Sequence, residues 1–213
     1  KKTVILNKDD QYYDRWVGKN NTSNIKTISL TENADYMAID VSANTMSVKT
    51  PYENEFQFNI TNNEPFHLMN LLFSIALACE SGARSDHIIP AFKNYNNVEG
   101  RFKICNGFNN SSIIDSSYNA NPASFRASID SLISMGSNSW VIMGQMGELG
   151  ADSEEHHVEL AHYAAKKGVE KLFLLTEHND AISQAFNSET YSFSNKSDLV
   201  RFIKPLLKNN TNV

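Results

Sequence analysis

The chain has 213 residues, of which 41% are hydrophobic and 20% charged, and its formal net charge is −5. Such a composition is typical of a globular protein with one large domain or two small ones. The sequence has no basic stripe, and no apolar run approaches the roughly 20 residues of a membrane helix, so we expect neither a nucleic-acid nor a membrane partner.

The first half of the chain predicts a strand and a helix followed by several short strands. The strand Thr3–Asn7 ends in polar residues, and helical spacing follows it until Gly18, which we expect to end the helix. Alternation of apolar and polar residues then predicts an antiparallel meander. Its four strands are Ile25–Leu30, Tyr36–Val41, Met46–Thr50 and Phe56–Ile60. Helices are predicted at Phe66–Ala83 and at Ser85–Phe92.

The most informative stretch joins a short strand to a helix. A hairpin turn at Asn109-Asn110 leads into the apolar pair Ile113-Ile114, and the chain then becomes polar from Asp115 to Asn121. Asn121 is a favourable helix cap, and Pro122 is favourable as the first helical residue. Acceptors, hydroxyls and free amide donors at such a place suit a phosphorylated or carboxylated ligand. A well-capped polar linker that binds nothing is the alternative.

From Pro122 onward, helices and strands alternate with short joints, which predicts a parallel, doubly wound sheet. The segments are Pro122–Met135, Trp140–Met143, Ser153–Lys167, Leu172–Leu175, Asp180–Phe186, a short strand near Tyr191, and Lys196–Leu207. Right-handed crossovers place the loop Gly144–Gly150 at the carboxyl edge of this sheet, where glycines let the backbone approach a ligand. Asp152, with Glu155 three residues on, is expected to cap the next helix. The acidic residues Asp152, Glu154 and Glu155 together complement its dipole.

Two motifs in this half resemble those of Mur ligases of the MurF type. Asp115-Ser-Ser-Tyr-Asn-Ala-Asn-Pro is similar to that family's Asp-Asp-Ser-Tyr-Asn-Ala-Asn-Pro. Gly144-Gln-Met-Gly-Glu-Leu-Gly, followed by Ser153, Glu154 and His157, resembles its Gly-Asp-Met-x-Glu-Leu-Gly…Ser-Glu-x-x-His. The spacing between the two motifs fits as well.

The resemblance implies an α/β protein of two parts. Residues 1–117 would be the distal part of a P-loop-type ATPase domain with a mixed sheet, and residues 118–213 most of a Rossmann-like C-terminal domain. The family's phosphate loop and main metal ligands would lie upstream, and no Gly-x-x-x-x-Gly-Lys-Ser/Thr motif occurs in this sequence. We therefore expect these residues alone to be inactive as a ligase.

The resemblance also implies substrates and site residues. The parent enzyme would use ATP and Mg²⁺ to join D-alanyl-D-alanine to a UDP-N-acetylmuramoyl tripeptide through an acyl phosphate, as a monomer. The nucleotide-binding residues implied are His67, Asn70, Arg101, Asp115, Ser116, Tyr118 and Asn119. Those implied for the substrate cleft are Asn121, Glu148 and His157. We assign no catalytic residue and no metal ligand within the chain.

Three positions depart from the family pattern. Phe66 and His67 stand where the family has His-Asn, Ser116 replaces an acidic residue, and Gln145 replaces Asp. A hydroxyl lacks the charge-assisted bond of a carboxylate, so we expect nucleotide affinity to be lower by ~1 kcal/mol at Ser116. The alternative hypothesis is a diverged, non-catalytic relative that kept the fold as a binding or scaffold module.

Plainer explanations exist for single residues, and the cysteines indicate the compartment. Taken alone, His67 is typical of a structural histidine and Arg101 of a surface arginine. Cys79 and Cys105 lack partners at metal-ligand or disulfide-motif spacing, so we expect free thiols in a reducing environment. The apolar run Thr3–Leu6 is too short for a signal peptide, and we predict a cytoplasmic protein.

Overall fold

The computed structural model describes residues 2–20, 24–53, 55–61, 63–93, 99–136 and 138–213. The chain divides into two compact units, Lys1–Asn96 and Asn97–Val213. Residues 99–117, which the sequence prediction placed in the first domain, belong to the second compact unit. They pack there because their main chain bonds to Thr211–Val213. The Ser112 amide donates to Thr211 (2.9 Å), and the Val213 amide donates to Ser112 (2.9 Å). A functional domain border after Ser117 stays a prediction.

The first unit contains a five-stranded mixed sheet whose strands lie in chain order. The strands are β1 (Thr3–Asn7), β2 (Asn24–Ser29), β3 (Tyr36–Val41), β4 (Thr45–Lys49) and β5 (Phe56–Asn59). The predicted antiparallel meander is right for β3, β4 and β5 but wrong for β2 and β3, which run parallel. Their connection returns beside β2, where an Asp35 carboxylate oxygen accepts from the amide (2.9 Å) and the hydroxyl (2.8 Å) of Thr27.

The helices of the first unit are α1 (Tyr13–Lys19), α2 (Pro65–Glu80) and α3 (Ser85–Lys93). Gly18 lies within α1 and does not end it, contrary to the prediction. The core side of α2 carries its buried apolar residues, namely Leu68, Leu71, Leu72, Ile75, Ala76 and Cys79. At the end of α2, Glu80 accepts a hydrogen bond from the hydroxyl of the fully buried Tyr36 (2.7 Å). Burial and this bond raise the pKa of Tyr36.

Asp9, after β1, holds the end of β2 in place. Its carboxylate accepts bonds from the hydroxyls of Ser29 and Thr31 and from the amide of Leu30 (2.7 Å). Partial burial acts to raise the pKa of Asp9, but the bonds from Ser29, Leu30 and Thr31 outweigh it and lower that pKa.

The second unit is a parallel α/β arrangement with an antiparallel hairpin at one side. Its strands are β6 (Lys103–Asn106), β7 (Ser112–Asp115), β8 (Trp140–Gly144), β9 (Lys171–Leu175) and β10 (Glu189–Ser192). The strand order β10-β9-β8 is parallel throughout, and β6 pairs antiparallel with β7. Asn212 forms parallel bridges to both Ser112 and Ser139 and so connects β7 with β8. This confirms the α/β fold class.

Helices cover both faces of this sheet, as the doubly wound prediction requires. They are α4 (Pro122–Ser134), α5 (Ser153–Lys167), α6 (Asn179–Phe186) and α7 (Lys196–Ile203). Residues of α4, α5 and α6 share one apolar cluster with Val141 and Met143, whereas α7 packs in another cluster with Trp140. Since successive residues of β8 point to opposite faces, the two clusters lie on opposite sides of the sheet.

Two helix ends in this unit differ from the sequence prediction. After α7 the chain continues as a short 3₁₀ turn, Lys204–Leu206, because Pro205 has no amide to continue the helix. The side chain of Asp152 makes no capping bond to α5, so the predicted cap is wrong. None of the helices in the described ranges combines the length and apolarity that crossing a membrane requires.

Candidate functional site

The polar residues after β7 form a compact turn at the carboxyl end of that strand. Asp115 Oδ1 accepts from the Ser117 amide (3.2 Å) and from the Ser117 hydroxyl (2.6 Å). Such a carboxylate-centred turn is favoured because it satisfies backbone amides that no strand neighbour reaches. It fixes the direction in which the next residues leave the sheet.

Ser116, in the same turn, is tied to helix α4. The hydroxyl of Ser128 donates to the Ser116 oxygen at 3.1 Å. The Ser116 hydroxyl retains its own proton to donate to a ligand, but it carries no charge. The structure thus gives Ser116 a hydrogen-bond partner within the protein, in addition to the ligand role that the resemblance implies.

Arg101 and Tyr118 are stacked on each other beside this turn. The guanidinium carbon of Arg101 lies 4.4 Å from the centroid of the Tyr118 ring, and Tyr118 is 64% exposed. The Tyr118 amide donates to the Gly100 carbonyl (3.0 Å), which brings the two segments together. Gly100 is required there, since its φ is +74° and a Cβ would lie 2.9 Å from the Tyr118 Cβ. The pair presents a flat cationic and aromatic surface at the carboxyl end of β7.

Asn121 caps α4 as the sequence predicts. Its Oδ1 accepts from the Ser124 amide (2.9 Å), and the Ser124 hydroxyl oxygen accepts from the Asn121 amide (3.0 Å). This is a reciprocal capping arrangement with Pro122 at the first helical position. Its side-chain oxygen is therefore engaged within the protein, and the substrate-cleft role of Asn121 stays a prediction.

A cavity of about 480 Å³ lies next to the turn, between β7 and β8. Its polar end is formed by residues 115–119, and its apolar walls include Phe125 and Ile129 of α4 and Ile142 of β8. The segment Thr211–Val213 lies between the two strands, and its last residue, Val213, also lines the cavity. The polar end suits a charged ligand, and it lies at the carboxyl ends of β7 and β8, where ligands usually bind in such sheets.

The loop after β8 reaches the same edge of the sheet, and Gln145 organises it. Gln145 Oε1 accepts from the Glu177 amide (3.1 Å), and its Nε2 donates to Ser153 Oγ (3.2 Å). His178 Nε2 lies 3.3 Å from the same hydroxyl, and His178 Nδ1 lies 3.4 Å from the Glu154 carboxylate. Gln145 thus connects the ends of β8 and β9 to the start of α5.

A shallow groove of about 550 Å³ adjoins this network. Its polar lining includes Gln145, Thr176, Asn179 and Ser194, with Phe193 as an apolar wall. His178, Thr176 and Asn179 were not among the residues predicted for the site. The signal was present, because polar residues directly follow the strand predicted at Leu172–Leu175, the same pattern that identified the turn after β7.

Glu148 and His157 differ in how the structure presents them. Glu148 is exposed in the loop after β8 and adopts a left-handed backbone conformation (φ +61°), which is uncommon for a residue other than glycine. His157 is fully buried, with both ring nitrogens bonded to main-chain atoms, so in this unit its side chain faces no groove. The cleft roles of both residues stay predictions.

His67 and Asn70 lie in the first turns of α2, in the other unit. Asn70 is exposed, and its carbonyl accepts from the Ser74 hydroxyl (2.9 Å). His67 is half-buried, and this burial lowers its pKa. The structure therefore brings Arg101, Asp115, Ser116, Tyr118 and Asn119 together on the second unit. The nucleotide role of His67 and Asn70 stays a prediction.

In the described ranges no group of three or more His, Cys, Asp or Glu side chains is placed to hold a metal ion. The second unit is an α/β domain with a polar candidate site at the carboxyl edge of its parallel strands. Residues 100–213 match the family model "Mur ligase, glutamate ligase domain". The chain belongs to the Mur ligase family.

Similar proteins are ligases of the MurF type. The chain is 31% identical over 141 residues to the UDP-N-acetylmuramoyl-tripeptide–D-alanyl-D-alanine ligase of Escherichia coli. The aligned region covers 66% of this chain and 31% of that protein. The ligase of the same name from Haemophilus influenzae is 25% identical over 210 residues, covering 97% of this chain and 45% of the relative. The chain therefore spans less than half the length of these relatives.

Solved structures show the same fold. A crystal structure of MurF from Acinetobacter baumannii has a TM-score of 0.81 at 19% identity, covering 96% of this chain and 45% of that one. The MurF ligase of Thermotoga maritima in complex with ADP has a TM-score of 0.77 at 19% identity, covering 99% of this chain and 48% of that one.

Proposed function

We propose that this chain is part of an ATP-dependent amide ligase that adds D-alanyl-D-alanine to a UDP-N-acetylmuramoyl tripeptide. Two findings support the proposal: the names of the ligases from E. coli and H. influenzae, and the ADP complex of the T. maritima relative. The parent enzyme would activate the tripeptide carboxylate as an acyl phosphate, which the amine of the dipeptide then attacks.

The observation that carries this proposal is the stacked pair of Arg101 and Tyr118 beside Asp115. A guanidinium offers a planar fork of donors for phosphate oxygens, and an exposed tyrosine offers a face for a base or sugar. Asp115 supplies an acceptor at the same strand end for a ribose or amine donor. These three groups bind and orient a nucleotide; they do not transfer a proton to it.

Phosphoryl transfer depends on positioned phosphates and Mg²⁺, and ATP with its metal would supply that chemistry when bound. The phosphate loop that such a reaction needs is absent from this sequence. We therefore expect no ligase activity from these residues alone. The cytoplasmic location and the monomeric state also stay predictions.

Calorimetric titration of the chain with ATP and Mg²⁺ tests the proposal. We expect a dissociation constant in the millimolar range, about 1 mM, since only part of the nucleotide site is present. Arg101→Ala should remove the residual heat. Arg126→Ala is the matched control, because Arg126 stacks on Tyr163 (4.8 Å) elsewhere in the same unit and should leave binding unchanged. Equal loss in both variants, or tight binding by the chain, would contradict the proposal.

A second function, a non-catalytic binding or scaffold module, is favoured by two observations. Ser116 and Gln145 are neutral where the family resemblance has carboxylates, and both are bonded within the protein, to Ser128 and to Ser153 and Glu177. The absence of any ATP-dependent heat in the titration would favour this function over the ligase.

A further inference from the structure

A buried histidine of α5 is hydrogen-bonded to the loop after β8. His157, on α5, is 0% exposed, and its Nε2 lies 3.1 Å from the amide nitrogen of Met146. Its Nδ1 lies 2.7 Å from the carbonyl oxygen of Ser153. Both partners are main-chain groups, so their donor and acceptor roles are fixed.

These two contacts determine where the proton of the ring lies. A backbone amide can only donate, so Nε2 of His157 must present its lone pair to Met146. A carbonyl can only accept, so Nδ1 must carry the hydrogen that it donates to Ser153. The ring is therefore neutral and in the Nδ1–H tautomer, because an added proton on Nε2 would face the Met146 amide and break that bond.

The Met146 amide is an anchor of the loop, beside the Gln145 side chain with its bonds to Ser153 and Glu177. The Met146 side chain is buried in the apolar cluster, whereas its neighbours Gln145 and Gly147 and the left-handed Glu148 are exposed. Because Met146 is fixed in the interior, the residues on either side of it are directed towards solvent in a defined orientation. We therefore expect the position of Glu148 at the carboxyl edge to change when the bond between His157 and Met146 is lost.

We propose that His157 is a positioning residue, which in its Nδ1–H tautomer fixes the Gly144–Gly150 loop so that Glu148 is presented at the edge of the candidate site. The importance of this presentation for a substrate rests on the proposed function, but the tautomer and the anchoring do not. His178 is an aromatic neighbour, with its ring centroid 5.5 Å away, and its Nδ1 lies 3.4 Å from the Glu154 carboxylate. The Met146 amide donates to His157 and not to His178.

Two substitutions separate the two contacts of the ring. In His157→Gln the side-chain oxygen reaches the place of Nε2 and can accept from Met146, while the bond to Ser153 is lost. In His157→Asn the shorter amide reaches only the place of Nδ1, so it keeps Ser153 and loses Met146. Both variants place a polar amide in the same buried site, and each is the control for the other.

The experiment is amide hydrogen exchange of Met146 and Glu148, measured by NMR on the whole chain, with ring ¹⁵N shifts to identify the tautomer. We expect an unprotonated Nε2, slow exchange of Met146 in the wild type and in His157→Gln, and exchange at least about tenfold faster in His157→Asn. The Glu148 amide resonance should move in the Asn variant only.

Two results would overturn the proposal: a protonated Nε2 in the wild type, or equal exchange of Met146 in both variants. The ring ¹⁵N shifts decide the first point even if both variants unfold. Failure of the proposed function gives a different result. The wild-type chain would then show no response to ATP, while its His157 tautomer and Met146 protection stayed as predicted.

Discussion

The cap of α4 gives a quantitative test of how the strand–helix junction is built. Asn121→Ala removes the acceptor for the Ser124 amide (2.9 Å) and leaves the reciprocal bond from the Asn121 amide to Ser124 Oγ (3.0 Å) in place. Loss of an asparagine cap costs about 1 kcal/mol. Since Asn121 and the bond itself are exposed to solvent and water replaces part of the lost bond, we expect about 1 kcal/mol and not the upper end of about 2. For a unit of roughly 100 residues this corresponds to a melting temperature lower by about 4 °C.

Urea unfolding followed by tryptophan fluorescence measures this change. The chain has two tryptophans, so a Trp16→Phe background leaves Trp140, which is 6% exposed, as the reporter of the second unit. Asn121→Asp is the control, because it keeps the acceptor and adds a negative charge that the helix N-terminus favours; we expect it to stay within about 0.5 kcal/mol of the parent. A double-mutant cycle with Ser124→Ala should show coupling of about 0.5 kcal/mol or more. Equal destabilisation by Ala and Asp, or no change with Ala, would refute the capping account.

Three further predictions concern stability. Tyr36→Phe should destabilise the first unit by about 1–3 kcal/mol in urea unfolding, because it removes the hydrogen bond to Glu80; an unchanged midpoint would contradict this. Asp9→Asn should be less stable than the parent near neutral pH. The folded-state pKa of Asp9 is lowered, so its stabilisation is complete above the unfolded pKa of about 4 and is lost as pH falls through the folded value; a stability difference that does not shrink as the pH is lowered would show another cause. Gly100→Ala should lower thermal stability by more than about 1 kcal/mol, because it combines a positive φ with a close contact to Tyr118; unchanged melting would mean that the segment can relax.

The secondary structure could be predicted largely from local pattern, while strand direction could not. Helix α5 and strand β3 have the bounds that periodicity indicates, because their apolar residues repeat at the spacing of one face. Alternation is the same in parallel and antiparallel strands, so it does not reveal that β2 and β3 pair in parallel, with Asp35 bonded to Thr27 beside them. Similarly, Pro205 marks the end of α7, although the apolar spacing continues beyond it.

The candidate site was predictable where its residues are close in sequence. Asp115 and Ser117 bond across two residues, and polar residues after a strand are a local signal. Gln145 and Glu177 are 32 residues apart, and the sequence gives no sign that their bond would form. The burial of His157 was equally hidden, because a single histidine in a helix is compatible with a surface, a cap or an interior position.

The central claim is that the turn after β7 and the loop after β8 lie at one edge of a parallel sheet and that this edge binds a nucleotide. The most direct measurement is a map of backbone amide shifts during titration of the ¹⁵N-labelled chain with ATP and Mg²⁺. We predict that the largest shifts occur at Arg101 and at residues 115–119, with smaller ones at residues 144–148. Shifts confined to other surfaces of the second unit, or none at tens of millimolar ATP, far above a dissociation constant of about 1 mM, would contradict the claim.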